Sequence, residues 1–362
     1  MFTPAKLSVN RALIKGDARG RTVEQADKMV FAWSAINAPG ARQAAYHLTL
    51  YSDALIFDSG WVESDEQECA LDGKILPEGK KIFAEIEIRD DLGNASCVLK
   101  EYFYNGSVDW SAGWISMDSD PDGATVYARR EFTINKPVNS AGIYACGLGY
   151  HELSINGNKI GKAYLDPAHT DYTKQVQYVF YPEIEKQLNP GANAIGVRVG
   201  GGWRDNYTGM IRDLEVPVRF FGKRELSLIM KIEYEDGTSE EIVTDSSWQA
   251  GKGASVQSNL FDGEIYDANC ARPGWNKPGF TGFANAVPAC APGGEMRVMT
   301  LPPIKEMGIF KPLSVSHPAP GVSVVDFGQN LSGVIRMKLS NLEKGRKIRV
   351  VHAEELDEDG LL

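Results

Sequence analysis

The chain has 362 residues, enough for two or three domains with cores of their own, and 43% hydrophobic with 24% charged residues is the balance of an ordinary folded protein. Thirty-eight basic against 48 acidic side chains leave a formal net charge of −10, which opposes phosphate backbones and anionic membrane surfaces and argues against nucleic acid or a membrane as partner. Nowhere do roughly 18 apolar residues run together, and the first residues lack the apolar core of a signal peptide.

In chain order, the first clear element is Ile82, Ala84, Ile86 and Ile88, which alternate on one face before Asp90-Asp91-Leu92-Gly93-Asn94 turns the chain. Residues 150–155 followed by Asn156-Gly157 predict a hairpin. Residues 182–188 are the best candidate for a helix, with Ile184 and Leu188 one turn apart and Pro190-Gly191 ending it. Leu226, Leu228, Met230, Ile232 and Tyr234 then alternate up to Asp236-Gly237, with Ile242 on the return strand. A last hairpin is predicted from residues 334–339 through Lys344-Gly345 to residues 348–351. This is an all-β pattern, and breaks at residues 104–107 and in the Pro/Gly/Ala-rich stretch 287–294 divide it into tandem β-sandwiches at 1–105, 106–290 and 291–362, the last one unfinished.

Cys69, Cys97, Cys146, Cys270 and Cys290 are odd in number, far apart and without C-x-x-C spacing, so reduced thiols in a cytoplasm are expected; a periplasmic or exported protein with its signal trimmed is the alternative. The acidic run Glu354-Glu355-Leu356-Asp357-Glu358-Asp359 reads as a solvated strand end, and Asp118-Ser119-Asp120-Pro121-Asp122-Gly123 as a turn. No G-x-S-x-G elbow, phosphate-binding loop or H-E-x-x-H motif is present, and the five histidines are scattered.

The richest stretch chemically is Gly200-Gly201-Gly202-Trp203-Arg204-Asp205-Asn206-Tyr207. Aromatic faces such as Trp203 and Tyr207 pack on the apolar C–H side of a pyranose, while Arg204, Asp205 and Asn206 hydrogen-bond its hydroxyls. The plainer alternative makes the glycines a bulge or crossing point and Trp203 a core residue. Asp166, Asp171 and Tyr172 form a supporting polar and aromatic group, although Asp166-Pro167 also reads as a turn.

The segment Tyr144-Ala145-Cys146-Gly147-Leu148-Gly149-Tyr150-His151-Glu152-Leu153-Ser154-Ile155-Asn156-Gly157, followed by Leu165-Asp166-Pro167, Thr170-Asp171-Tyr172, Gly201-Gly202-Trp203, Gly263-Glu264-Ile265-Tyr266-Asp267-Ala268 and Pro273-Gly274-Trp275, resembles the N-terminal sandwich of bacterial α-L-rhamnosidases of glycoside hydrolase family 78. Upstream, Phe31-Ala32-Trp33 and Asp58-Ser59-Gly60-Trp61 resemble the fibronectin-like domain that opens these enzymes; downstream, Asp326-Phe327-Gly328-Gln329-Asn330 resembles the start of a lectin-like β-sandwich.

The resemblance implies a fibronectin-like sandwich, a jelly-roll sandwich and the start of a lectin-like domain, binding or positioning L-rhamnose-containing glycosides. Hydrolysis would belong to an (α/α)6 barrel normally in the same chain, so residues 1–362 are expected to be inactive alone. It also implies that Asp205 and Asn206 could share a calcium ion with the sugar; no other cofactor is required. Two other readings are a free-standing carbohydrate-binding or scaffold protein, and a compact glycosidase with its own carboxylate pair. The composition leaves self-association open.

Overall fold

The computed structural model describes residues 3–36, 41–117, 123–204, 222–260 and 263–361. Strands dominate, and the helical elements among these residues are 3-10 turns of three or four residues. Two compact units are present, Met1–Ile304 and Lys305–Leu362.

Period-two alternation sets the first sandwich. Along Lys81–Asp90 every second residue, from Ile82 to Ile88, is buried. The Asp90 carboxylate then accepts the N–H groups of Leu92 and Asn94, satisfying the turn backbone that the strand ladder leaves behind. This strand lies in a sheet ordered Thr22–Val23, Leu99–Asn105, Lys81–Asp90, Gln43–Tyr51, Leu55–Asp58, with Val62–Glu63 added to Gln43–Tyr51. A second sheet, ordered Ala12–Leu13, Thr3–Val9, Lys28–Ile36, Glu68–Asp72, closes over it on Leu7, Phe31, Trp33, Leu48, Ile86 and Phe103.

The central sandwich pairs two larger sheets. One runs Val287–Ala289, Trp114–Ser116, Glu225–Tyr234, Val138–Leu148, Gln175–Tyr181, Glu295–Val298, with Ser239–Val243 added to Glu225–Tyr234. The other runs Asn158–Lys159, Tyr150–Ile155, Gly191–Gly200, Val126–Ile134, Gln249–Lys252, Ala284–Asn285. Ile143, Leu153, Ile195, Val197, Leu228, Met230 and the fully buried Trp248 fill the space between them. The first of these sheets is covered on its far face as well, where Tyr144, Cys146, Tyr178, Phe180 and Ile229 meet Tyr104 of the first sandwich. Burial of both faces explains why residues 143–148 read as a nearly continuous apolar run rather than a clean alternation.

Both predicted hairpins of this sandwich form. Asn156 and Gly157 have φ of +52° and +88° between Tyr150–Ile155 and Asn158–Lys159, the left-handed pair that a two-residue hairpin turn requires. Glu225–Tyr234 returns through Gly237, φ +79°, onto Ser239–Val243.

Three expectations need correction. The predicted helix at 182–188 is a single 3-10 turn, Ile184–Gln187, because Glu183 is left-handed at φ +59° and Pro190 follows at once. The boundary placed at 290 falls too early: Val287–Ala289 pairs with Trp114–Ser116, and Glu295–Val298 runs parallel to Gln175–Tyr181. The Pro/Gly/Ala-rich stretch therefore contains one strand of this sheet and leads directly into another. In the second unit the turn at Gly345 forms, with the Arg346 N–H donating to the Glu343 carbonyl over 3.0 Å, but no ladder flanks it. Alternation makes a strand only where partners and a facing layer exist, and the described part of this unit has one ladder, Ser314–Ser316 with Val324–Asp326.

Candidate functional site

The strand Gly191–Gly200, held between Tyr150–Ile155 and Val126–Ile134, ends where the chain crosses itself. A Cβ on Gly149, whose φ is +109°, would lie 2.0 Å from the Gly200 carbonyl oxygen and 2.6 Å from that of Gly201. A Cβ on Gly202, φ +53°, would lie 2.8 Å from the Gly149 carbonyl carbon. The glycine run is a backbone crossing, and glycine alone fits both of its sides.

That crossing aims Trp203, which stands in the 3-10 turn Gly202–Arg204 and is only partly buried. Its ring stacks on His169 with centroids 5.3 Å apart and planes at 28°. His169 in turn meets Tyr172 edge to face at 5.4 Å and 89°. Burial pushes the His169 imidazole below its ordinary pKa, against the opposing charge of Asp171, so the ring is neutral at pH 7. Burial pushes the Tyr172 hydroxyl well up, keeping it protonated.

Arg204 turns inward. Its Nη2 lies 2.7 Å from Glu225 Oε2, both side chains largely buried, and its Nε donates to the Lys223 carbonyl at 3.3 Å. The Gly222 N–H donates to the Arg204 carbonyl over 3.1 Å, which sets the two flanks of residues 205–221 side by side. Asp205, Asn206 and Tyr207 lie outside the described residues.

The supporting group is divided by the structure. Asp166 is a buried partner of Arg19, at 2.5 Å, and its carboxylate does not face a ligand space. Tyr172 is likewise enclosed, so its part is to back the His169 ring and not to meet a sugar directly. Asp171 stays at the surface of its turn, where its Oδ1 accepts the Thr173 N–H at 3.1 Å and the Thr173 hydroxyl at 2.6 Å; these bonds hold its pKa below the usual carboxylate range. His169 was missed by the sequence reading. Its only signal was its place two residues before Asp171, and long-range stacking on Trp203 is invisible to spacing along the chain. Among the described residues no group of three or more His, Cys, Asp or Glu side chains could hold a metal ion.

Comparison with known proteins gives a consistent picture. Residues 136–308 match the family model of the α-L-rhamnosidase N-terminal domain, and residues 316–362 match that of the bacterial α-L-rhamnosidase concanavalin-like domain. An α-L-rhamnosidase of Formosa agariphila is 29% identical over 98% of this chain and 41% of its own length. One from Streptomyces avermitilis is 32% identical over 86% of this chain and 30% of its own length. The solved α-L-rhamnosidase of Dictyoglumus thermophilum superposes with a TM-score of 0.77 and 30% identity, covering 91% of this chain and 39% of that one. The chain thus spans well under half the length of these relatives.

Proposed function

The chain belongs to the bacterial α-L-rhamnosidase family, as its N-terminal region, and from that premise we propose that it binds and positions L-rhamnose-containing glycosides for hydrolysis by a separate catalytic part. In the finer reading the first sandwich is fibronectin-like and the central one a jelly roll of the carbohydrate-binding kind. The observation that carries the binding role is Trp203, fixed by its stack on His169 and two residues before Asp205 in the chain.

A ring locked in this way loses little freedom when the C–H face of a pyranose packs on it. Asp205 and Asn206, next in the chain, supply the acceptor and the amide that distinguish hydroxyls, and are the pair that would share a calcium ion with the sugar. Arg204, committed to Glu225, positions this segment rather than contacting the ligand.

Titration calorimetry of the chain with L-rhamnose tests the reading. Replacing Asp205 and Asn206 together by alanine is expected to weaken binding by about 1 to 3 kcal/mol. Equal affinity in the double variant removes the site, and no heat from the parent chain removes the binding role. Loss of affinity on adding a calcium chelator supports the shared ion. The same protein is expected to release no phenol from an aryl α-L-rhamnoside; release would place catalysis within residues 1–362.

A further inference from the structure

A second set of sugar-compatible groups lies on the outer face of the central sandwich, away from the glycine crossing in sequence. A groove of about 350 Å3 is lined there by Arg129, Arg130, Glu131, Ser247, Gln249, Phe280 and Asn285. Its floor follows from strand register. Arg129 stands opposite Gln249, and Gln249 opposite Asn285, so the three share one face across three strands; Glu131, two residues on from Arg129, shares it too.

The groove is a built one. Arg129 is 3% exposed, and its Nη1 donates to Gln249 Oε1 at 2.6 Å and to the Phe280 carbonyl at 3.1 Å. Its Nη2 donates to the Lys277 carbonyl at 3.0 Å and to Glu131, whose Oε1 also accepts the Gly279 N–H at 2.9 Å. These bonds clamp residues 277–280 to the sheet and set the Phe280 ring 5.4 Å from the guanidinium and 5.0 Å from the Phe283 ring. The buried Arg129 Nε–H has no hydrogen-bond partner among the described residues.

The groups not consumed by this clamp are of one chemical kind. The Gln249 amide nitrogen and the Asn285 side-chain amide have no partner among the described residues, and Glu131 keeps a second carboxylate oxygen. Arg129 is paired with Glu131, and Arg130 with Asp245 at 3.5 Å, so the lining is close to neutral and offers no free cation to a phosphate or carboxylate ligand. An amide row, one acceptor oxygen and an aromatic ring match a neutral polyhydroxylated ring. The volume sits at the small end of the roughly 300 to 1,000 Å3 range of small-molecule sites, the scale of a pyranose with part of its neighbour.

We propose that this groove is a second carbohydrate subsite, taking a neutral pyranose unit against Phe280 with its hydroxyls on Gln249, Asn285 and Glu131. It rests on the reading of the chain as glycoside-binding and extends it to a second point of contact. The test is titration calorimetry of the full chain with L-rhamnose and with rutinose, a rhamnosyl-glucose disaccharide, comparing the parent with Asn285→Ala, Phe280→Ala and the Asp205→Ala/Asn206→Ala double variant. Asn285 is exposed on a two-residue edge strand, so its truncation leaves the fold intact whatever Phe280→Ala does to the clamp. The proposal expects Asn285→Ala to weaken rutinose roughly fivefold, the size of one neutral hydrogen bond, with its melting temperature unchanged. Parent-like rutinose binding in both groove variants, alongside loss in the double variant, overturns the subsite and leaves the primary reading standing. Absence of any heat from the parent with either sugar overturns both, and the parent titration alone tells the two failures apart.

Discussion

Arg19 and Asp166 form a two-pronged buried ion pair between the first and the central sandwich, Nη1 to Oδ2 at 2.5 Å and Nη2 to Oδ1 at 3.3 Å. Their side chains are 10% and 4% exposed, so water does little to screen either charge. Arg19→Ala would strand the Asp166 carboxylate in this setting, and breaking a buried pair from one side typically costs about 3 to 5 kcal/mol. An unfolding free energy from urea denaturation lowered by less than about 1 kcal/mol would show that the carboxylate finds other solvation. Replacing both partners, Arg19→Met with Asp166→Leu, is expected to cost much less, since no lone charge remains.

Beside this pair His151 sets a pH dependence. The Gly147 N–H donates to its Nδ1 at 3.1 Å, which leaves the ring proton on Nε2, 3.0 Å from the Tyr181 hydroxyl. Burial, and then the charge of Arg19, lower its pKa from 6.5 to about 3. A group whose folded pKa is depressed contributes stability that is complete above the unfolded value and falls as pH falls toward the folded one. Below pH 6.5 the unfolded chain therefore binds a proton here that the folded chain does not, and stability is expected to drop by up to about 1.4 kcal/mol per pH unit. The lowered carboxylates Asp171 and Asp236 act in the same sense, but only nearer the ordinary carboxylate range of about pH 4. Urea denaturation of the parent and His151→Gln between about pH 7 and pH 5 isolates the histidine. Equal slopes would mean that His151 is not held neutral.

Local stability should differ between the two units. Residues 327–350 carry no strand ladder, and Val334, Ile335, Met337, Leu339 and Val350 are exposed. Segments with few backbone hydrogen bonds open first. Brief trypsin digestion is expected to cut at Arg336, Lys338, Lys344 or Arg349 before it cuts at Lys81, Lys100 or Lys231, which sit in paired strands. Earlier cleavage within those strands would contradict the ranking.

What could be read from the sequence was what repeats locally. Ile82 to Ile88, Asn156-Gly157 and Asp236-Gly237 carry their structure in a few neighbouring residues, because strand alternation and turn conformation are short-range constraints. The extent of the central sheet was not legible. The parallel pairing of Glu295–Val298 with Gln175–Tyr181 joins residues more than a hundred positions apart, and the Pro/Gly/Ala composition between them looks the same in a linker as in a loop. For the candidate site, the chemistry of Trp203 and Arg204 was visible, but their roles depend on His169 and Glu225, which only folding brings beside them. Asp166 shows the opposite error: its polar side chain suggested a ligand, while its distant partner Arg19 makes it an internal tie.

The glycine crossing links fold to site and can be tested by itself. At Gly149→Ala the new methyl meets two backbone oxygens that cannot swing aside, the Gly200 and Gly201 carbonyls, and φ +109° strains any residue with a side chain. The cost is expected to be on the order of 1 to 3 kcal/mol or more. Because the same contact aims Trp203, L-rhamnose affinity should fall along with the melting temperature. Gly237→Ala is the control: its φ is +79°, but nothing lies within 4 Å of the added carbon and the turn is remote from Trp203 in the chain. It should lower stability by about 1 kcal/mol, the cost of the backbone conformation alone, and leave the titration unchanged. If Gly149→Ala melted lower yet bound L-rhamnose as the parent does, the crossing would serve the fold and not the site.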